Sequence, residues 1–399
     1  MIFSETQQPP LQNILSINEI RLNQHKSQLS LSYNNGINIY STSDFRMLYS
    51  SNEYDFTLGN ILHCAMIYNS STVAFIGSND NPNYSNNKLV LYDLNSKSEI
   101  NSIPFKESIT SIDIVFSYLI LSTEKEIQVY SIKDEQNLLL VHIIELKNQH
   151  QLCPFIVWTT TIEQDVDKVN VCTFAQKKNE IIIHSFFSRE FVFDKQETVT
   201  VSALNDVQRL FYIKELKLLL AIEKNGQRFS GINVEHKDTQ YVFYRGASSG
   251  EICDACGLSD NHIAIVNMKK TIHIYKIEYN KGSYLSYIIP SFLSTNYIYS
   301  SIKIRLSDVI LNEENLFFKY SYDKHGCVIF NSVENNELII IGYNGYVYRI
   351  KLDLINAKYE VIKRDKFVSD EIQNRTIYVP SSTGEGEDGK GAQEKWSVI

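Results

Sequence analysis

The chain has 399 residues and 46.0 kDa, with 38 Lys plus Arg against 46 Asp plus Glu, a net charge of −8. That balance speaks against a protein held to nucleic acid by general basicity, so any anion site must be a local patch set against the global sign. Hydrophobic residues at 43% and charged residues at 21% exclude wholesale disorder and supply a large core.

Glycine (16) and proline (7) are sparse, so Asn, Ser and Asp must make many of the turns. Six cysteines, Cys64, Cys153, Cys172, Cys253, Cys256 and Cys327, are scattered, which predicts a reducing compartment and no disulfide framework. Residues 1–12 lack the basic and apolar blocks of a signal peptide and are expected to be a tail. Nowhere do about 18 apolar residues run together, so no membrane span is predicted.

From residue 13 onward, short apolar runs alternate with polar residues at period two, and long helical stripes are nearly missing. The pattern predicts an all-β protein. One hairpin recurs. Leu29–Tyr33 and Ile37–Tyr40 flank an Asn-Asn-Gly turn, and a weaker copy runs from Val73 to Tyr92. Tyr118–Leu121 and Ile127–Tyr130 follow, then a weaker copy from Val169 to His184. Leu218 to Val234 turns at Asn225-Gly226, a pair that suits the positive φ of a type I′ turn. Ile263–Val266 with Ile272–Tyr275, and Leu338–Ile341 with Tyr346–Tyr348, complete the series.

Seven hairpins, roughly 45–60 residues apart and each flanked by two further strand-like runs, predict a seven-bladed β-propeller of WD40-like period. The blades begin near Ile14, Ile61, Ser108, Leu152, Val207, Glu251 and Gly326, and the propeller takes residues 13–369. The Gly-His and Trp-Asp dipeptides of ordinary WD40 repeats are missing. The sixth unit is the longest and holds an insertion, roughly Tyr279 to Tyr297. Residues 370–399 turn polar and Gly/Glu-rich and are expected to be a disordered tail.

The junction of the fifth and sixth units carries Phe243-Tyr244-Arg245-Gly246, then Glu251 to Ser259, then the hairpin ending at Tyr275. This resembles the PROPPIN (WIPI) family, whose propellers have Phe-Arg-Arg-Gly at this junction. Ala74–Gly77 through Pro82 to Asp93, Thr271–Tyr275, and Ile289–Asn296 to Leu306 match further family stretches. The resemblance covers about residues 14–365, in divergent yeast-type form.

The resemblance implies a non-enzymatic protein without cofactor or metal. It would bind phosphatidylinositol 3-phosphate or 3,5-bisphosphate, act in autophagy or vacuolar trafficking, and sit peripherally on vacuolar, endosomal or preautophagosomal membranes. Autophagy-related partners would bind loops of blade two or three, such as Ser78 to Asn87, and nucleic acid is not a partner. Each arginine of the family motif serves one of two lipid sites. Tyr244 replaces the first, no histidine stands near Ala203-Leu204, and Glu223 and Gln227 fall where the family has small hydroxyl residues. The first site is therefore expected to be degenerate. The second keeps Arg245, Gly246, Thr271 and His273, with Asn267 for the usual serine.

Chemically, an inositol phosphate needs hydrogen-bond donors. Arg245 offers a planar, permanently charged fork. Thr271 offers a hydroxyl and His273 a ring N–H, and alternation puts both on one strand face. In the insertion, Tyr284, Leu285, Tyr287, Ile288 and Ile289 are candidates for membrane insertion, the second signal that stable anchoring takes; from Pro290 on, the segment is expected to continue the sheet. Lys269 and Lys270 can add unspecific attraction to anionic lipid.

Other motifs are weaker. Cys253 and Cys256 have metal spacing but no second pair, and strand alternation predicts two buried thiols on opposite faces. Gly246-Ala-Ser-Ser-Gly250 lacks the strand–turn–helix setting of a hydrolase nucleophile. The alternative function is a protein-interaction scaffold that has lost lipid binding, a reading that Tyr244, Glu223 and Gln227 motivate.

Overall fold

The computed structural model describes residues 17–51, 58–134, 137–146, 155–162, 165–177, 179–203, 205–236, 240–245, 250–258, 261–268, 271–277, 297–305, 327–332, 337–343 and 345–366. They form seven sheets, each built on an antiparallel meander of four strands, arranged as the blades of a propeller. The innermost strands start at Ile17, Ile61, Ser111, Phe155, Val207, Ile252 and Cys327, close to the expected blade starts. Each recurring hairpin forms the second and third strands of its blade. Gly226, at φ +60°, makes the fifth of these turns possible.

Every second strand reads as a continuous apolar run because both of its faces are covered. In His262–Asn267 of blade six, Ile263 and Ile265 pack toward blade five, while Ala264 and Val266 pack toward blade seven. Each such isoleucine contributes about 1.5–3 kcal/mol when fully buried. The hydrophobic core is divided accordingly into seven clusters, one between each pair of neighbouring blades. Seven interfaces for seven blades close the ring. The closing one joins blade seven to blade one by side-chain packing, with Arg349 Nη2 donating to Ser43 O at 2.6 Å and its guanidinium over the Phe45 ring.

One strand departs from the regular meander. Tyr297–Tyr299 runs parallel to Gln240–Tyr244, so blade five has a fifth strand at its outer edge. The chain then turns, and Ile302–Arg305 becomes the outer strand of blade six. Residues 290–296 lie outside the described residues; from Tyr297 on, the chain joins a sheet, but first that of the neighbouring blade. This crossover ties blade six to blade five beside the junction motif.

Cys253 and Cys256 do not alternate as expected. The register slips between Ile252 and Asp254, so Cys253 is the extra residue of a β-bulge. Both thiols are buried in the core between blades six and seven, unbridged. Burial pushes the Cys256 thiol up, out of the reactive range. Among the described residues, no group of His, Cys, Asp and Glu could hold a metal ion.

Candidate functional site

Arg245 follows the last residue of the fourth strand of blade five. Its backbone N–H donates to Gln227 O at 2.8 Å, which fixes the residue against the Asn225–Gln227 turn. A Cβ on Gly226 would stand 2.5 Å from Gly250 O and 3.3 Å from Arg245 Nη1, so the backbone of this turn admits only glycine beside the arginine. All three guanidinium nitrogens are buried and meet no acceptor among the described residues. Burial lowers the Arg245 pKa, and the neighbouring Tyr275 and Cys253 oppose that shift. A buried arginine without an acceptor costs free energy unless a ligand supplies one.

His273 lies on the third strand of blade six, within electrostatic reach of Arg245. Its Nδ1 is 3.3 Å from Ser300 Oγ, and its ring stacks on Tyr275 with centroids 6.4 Å apart. Burial, then the charges of Arg245 and Lys303, bring its pKa down to about 4, so the imidazole is neutral at pH 7. Thr271 precedes it by two and faces Arg305 across the ladder, as His273 faces Lys303. Four cationic or cation-capable groups, Arg245, His273, Lys303 and Arg305, thus gather on one edge of a chain whose net charge is −8. Asn267 is buried, and its Oδ1 accepts the Thr271 N–H at 3.0 Å. Its side-chain carbonyl thus helps close the hairpin turn.

Where the resemblance puts the first lipid site, the geometry is different. Tyr244 meets Tyr299 of the fifth strand edge-on at 6.0 Å. Glu223 is buried, accepts from Asn205 Nδ2 at 2.7 Å and lies 3.9 Å from Arg228 Nε. Arg228 in turn stands opposite Tyr244 in the ladder. Glu223 thus has an amide donor and a cation beside it where the family has small hydroxyl residues.

Lys303 and Arg228 were not among the sequence candidates. Lys303 alternates with Arg305 on one strand face, so period-two reading could have found it. Arg228 gives no such signal, because an arginine after a turn is usually solvated. Gly246 and the insertion residues Tyr284, Leu285, Tyr287, Ile288 and Ile289 lie outside the described residues. The blade-two loop Ser78–Asn87 is tied from within. Asn81 Nδ2 donates to Leu58 O at 2.8 Å, and its Oδ1 accepts the Asn83 and Tyr84 N–H groups. Gly77 admits the Tyr84 carbonyl at a distance no Cβ would tolerate. Asn79, Asp80, Pro82 and Asn83 are left exposed on this rigid base.

Fold and site together define a seven-bladed propeller with a cationic junction between blades five and six. No family model matches the chain. Curated relatives do match. SVP1-like protein 2 of Schizosaccharomyces pombe is 22% identical, over 66% of this chain and 68% of that protein. Autophagy-related protein 18 of Kluyveromyces lactis is also 22% identical, over 68% of this chain and 63% of its own length. Its Vanderwaltozyma polyspora counterpart is 28% identical over 33% of this chain and 22% of its own length. Among solved structures, Kluyveromyces lactis Hsv2 superposes with a TM-score of 0.65 at 14% identity, covering 89% of this chain and all of Hsv2. KlAtg21, solved with the coiled coil of AgAtg16, gives 0.60 at 14% identity. The chain thus shares the propeller fold of these solved structures and is similar in sequence to these curated relatives.

Proposed function

We propose that this protein is a non-enzymatic, phosphoinositide-binding propeller that docks edge-on to membranes and recruits autophagy or vacuolar-trafficking partners. The carrying observation is Arg245, whose buried guanidinium has no acceptor among the described residues and stands beside His273. The 3-phosphate of an inositol lipid supplies the missing acceptor, and Thr271, His273, Asn267 and the Gly246 backbone complete its shell. Lys303 and Arg305 extend the positive field toward the bilayer. Tyr284, Leu285, Tyr287, Ile288 and Ile289 provide the apolar half of a two-signal anchor. The blade-two loop Ser78–Asn87 is the docking surface for autophagy-related partners, a role consistent with the partnered state of KlAtg21.

The first site is closed in this reading, because Glu223 and Arg228 already neutralise one another. The same pair favours a second reading, a scaffold that has lost lipid binding altogether. Flotation with liposomes containing phosphatidylinositol 3-phosphate, the 3,5-bisphosphate or neither separates the two. Lipid-dependent flotation that Arg245→Ala abolishes supports the binder. A wild-type protein that stays in the soluble fraction with every lipid makes it a scaffold.

A further inference from the structure

Propeller blades end in an outer strand whose far edge has unpaired backbone groups, and soluble proteins protect such edges. In this chain the outer strands are protected in recognisable ways. Met47–Ser50 of blade one is only four residues long. The outer strands of blades two, four, six and seven carry exposed charges, among them Glu99, Lys195, Lys303 and Lys363. That of blade five, Gln240–Tyr244, is nearly uncharged and is covered by the fifth strand Tyr297–Tyr299.

Blade three is the exception. Its outer strand, Asn137–Glu145, runs Asn-Leu-Leu-Leu-Val-His-Ile-Ile-Glu, with no charge before its last residue. Leu139, Leu140 and Ile143 are 52%, 44% and 43% exposed. No strand pairs with its outer edge among the described residues. The bulge near Val141 does not set it apart, because the outer strands of blades one, two, four and seven also have register slips. The apolar surface continues onto blade four, where Val192 is exposed and His142 stacks on Phe193 at 4.5 Å.

The end of this edge at Glu145 is acidic. Glu145 stands directly opposite Glu126 in the ladder, with Glu124 exposed nearby in sequence, while Lys125 is engaged by Glu107. Two carboxylates held opposite one another destabilise a ladder, and a cation set between them relieves that.

We infer that the blade-three edge Leu138–Glu145 is a docking site for an extended segment of a partner protein. The segment adds as a fifth strand, places apolar side chains over Leu139, Leu140 and Ile143, and brings a basic residue to the Glu126–Glu145 end. The fifth strand of blade five is this mode of closure within the same molecule, and backbone pairing with alternate side-chain contacts is how such augmentation binds. The inference does not depend on lipid binding.

The test uses the full-length protein and three fluorescent synthetic peptides of alternating valine and threonine: one ending in two lysines, one ending in two glutamates, and one lysine-ended peptide interrupted by proline. Fluorescence anisotropy measures binding, and amide hydrogen exchange locates it. The expected result is saturable binding of the first peptide alone, slowed exchange across Leu138–Glu145, and at least about tenfold weaker binding to Leu139→Lys/Ile143→Lys. Those positions are exposed, so an unchanged Tm certifies that the variant is folded. Binding indifferent to the double substitution, or no saturable binding of any peptide, overturns the inference. So does a concentration-dependent dimer that the double substitution dissolves, since the occupant would then be a second copy of this chain.

Discussion

The charge of Arg245 helps hold the imidazole of His273 neutral, at a pKa of about 4. A phosphate dianion bound between them reverses the local field and pulls the histidine back toward its ordinary value near 6.5. Binding then takes up a proton, so affinity rises as pH falls. Between pH 7.5 and pH 5 the wild type gains roughly tenfold in affinity over His273→Gln. The lipid phosphate also titrates in this range, and the variant, which shares that effect, isolates the histidine. Liposome titrations at both pH values check this, and identical pH profiles for the two proteins remove His273 from the site.

If Arg245 binds the lipid phosphate as proposed, its guanidinium trades stability of the free protein for readiness to bind. A buried donor group with no acceptor costs about 1–3 kcal/mol in the free protein. Arg245→Met keeps the aliphatic stem and discards the guanidinium. The expected outcome is an unchanged or raised Tm together with lost flotation. Thermal unfolding and flotation of one preparation decide it. A Tm that falls by several degrees while flotation persists assigns Arg245 a structural role.

How much of this was legible in the sequence follows from particular residues. The second-strand runs, such as Ile263–Val266, are apolar on both faces because each blade is sandwiched between two others, so the hairpins and the blade count could be read directly. Arg245, Thr271 and His273 were singled out through the motif resemblance, and they lie on or beside those hairpins. Three features were not. The parallel pairing of Tyr297–Tyr299 with blade five depends on how the chain returns from a long insertion, which no local pattern encodes. The bulge at Cys253 reverses the parity on which strand alternation rests. The Glu223–Arg228 pair joins residues on either side of a turn, and only burial distinguishes it from a solvated pair.

That pair makes a further prediction. Tyr244→Arg by itself should not create a second lipid site, because the new guanidinium would face Arg228 across the ladder and Glu223 would still repel phosphate. Adding Glu223→Ser removes the carboxylate and leaves two cations and a hydroxyl. Liposome affinity is expected to rise several-fold in the double variant only, as one added charge-assisted phosphate contact would give. Equal gains in the single and double variants would show that Glu223 does not close the site.

Acid should weaken the fold through His184, on the third strand of blade four. It is buried, and neither ring nitrogen has a partner among the described residues. Burial first, then the neighbouring His142, lowers its pKa to about 4. The unfolded chain binds this proton near pH 6.5 and the folded chain only near pH 4. Stability from this residue is thus complete above about pH 6.5 and is lost as pH falls toward 4. At pH 5 the loss is about 1–2 kcal/mol. His273 adds a loss of the same sign in the lipid-free protein. His184→Leu fills similar volume and removes both unpartnered nitrogens. Denaturant midpoints at pH 7.5 and pH 5 should diverge for the wild type and converge for His184→Leu, less the residual slope from His273. A variant as acid-sensitive as the wild type would mean that the packing of blades three and four does not hold His184 neutral.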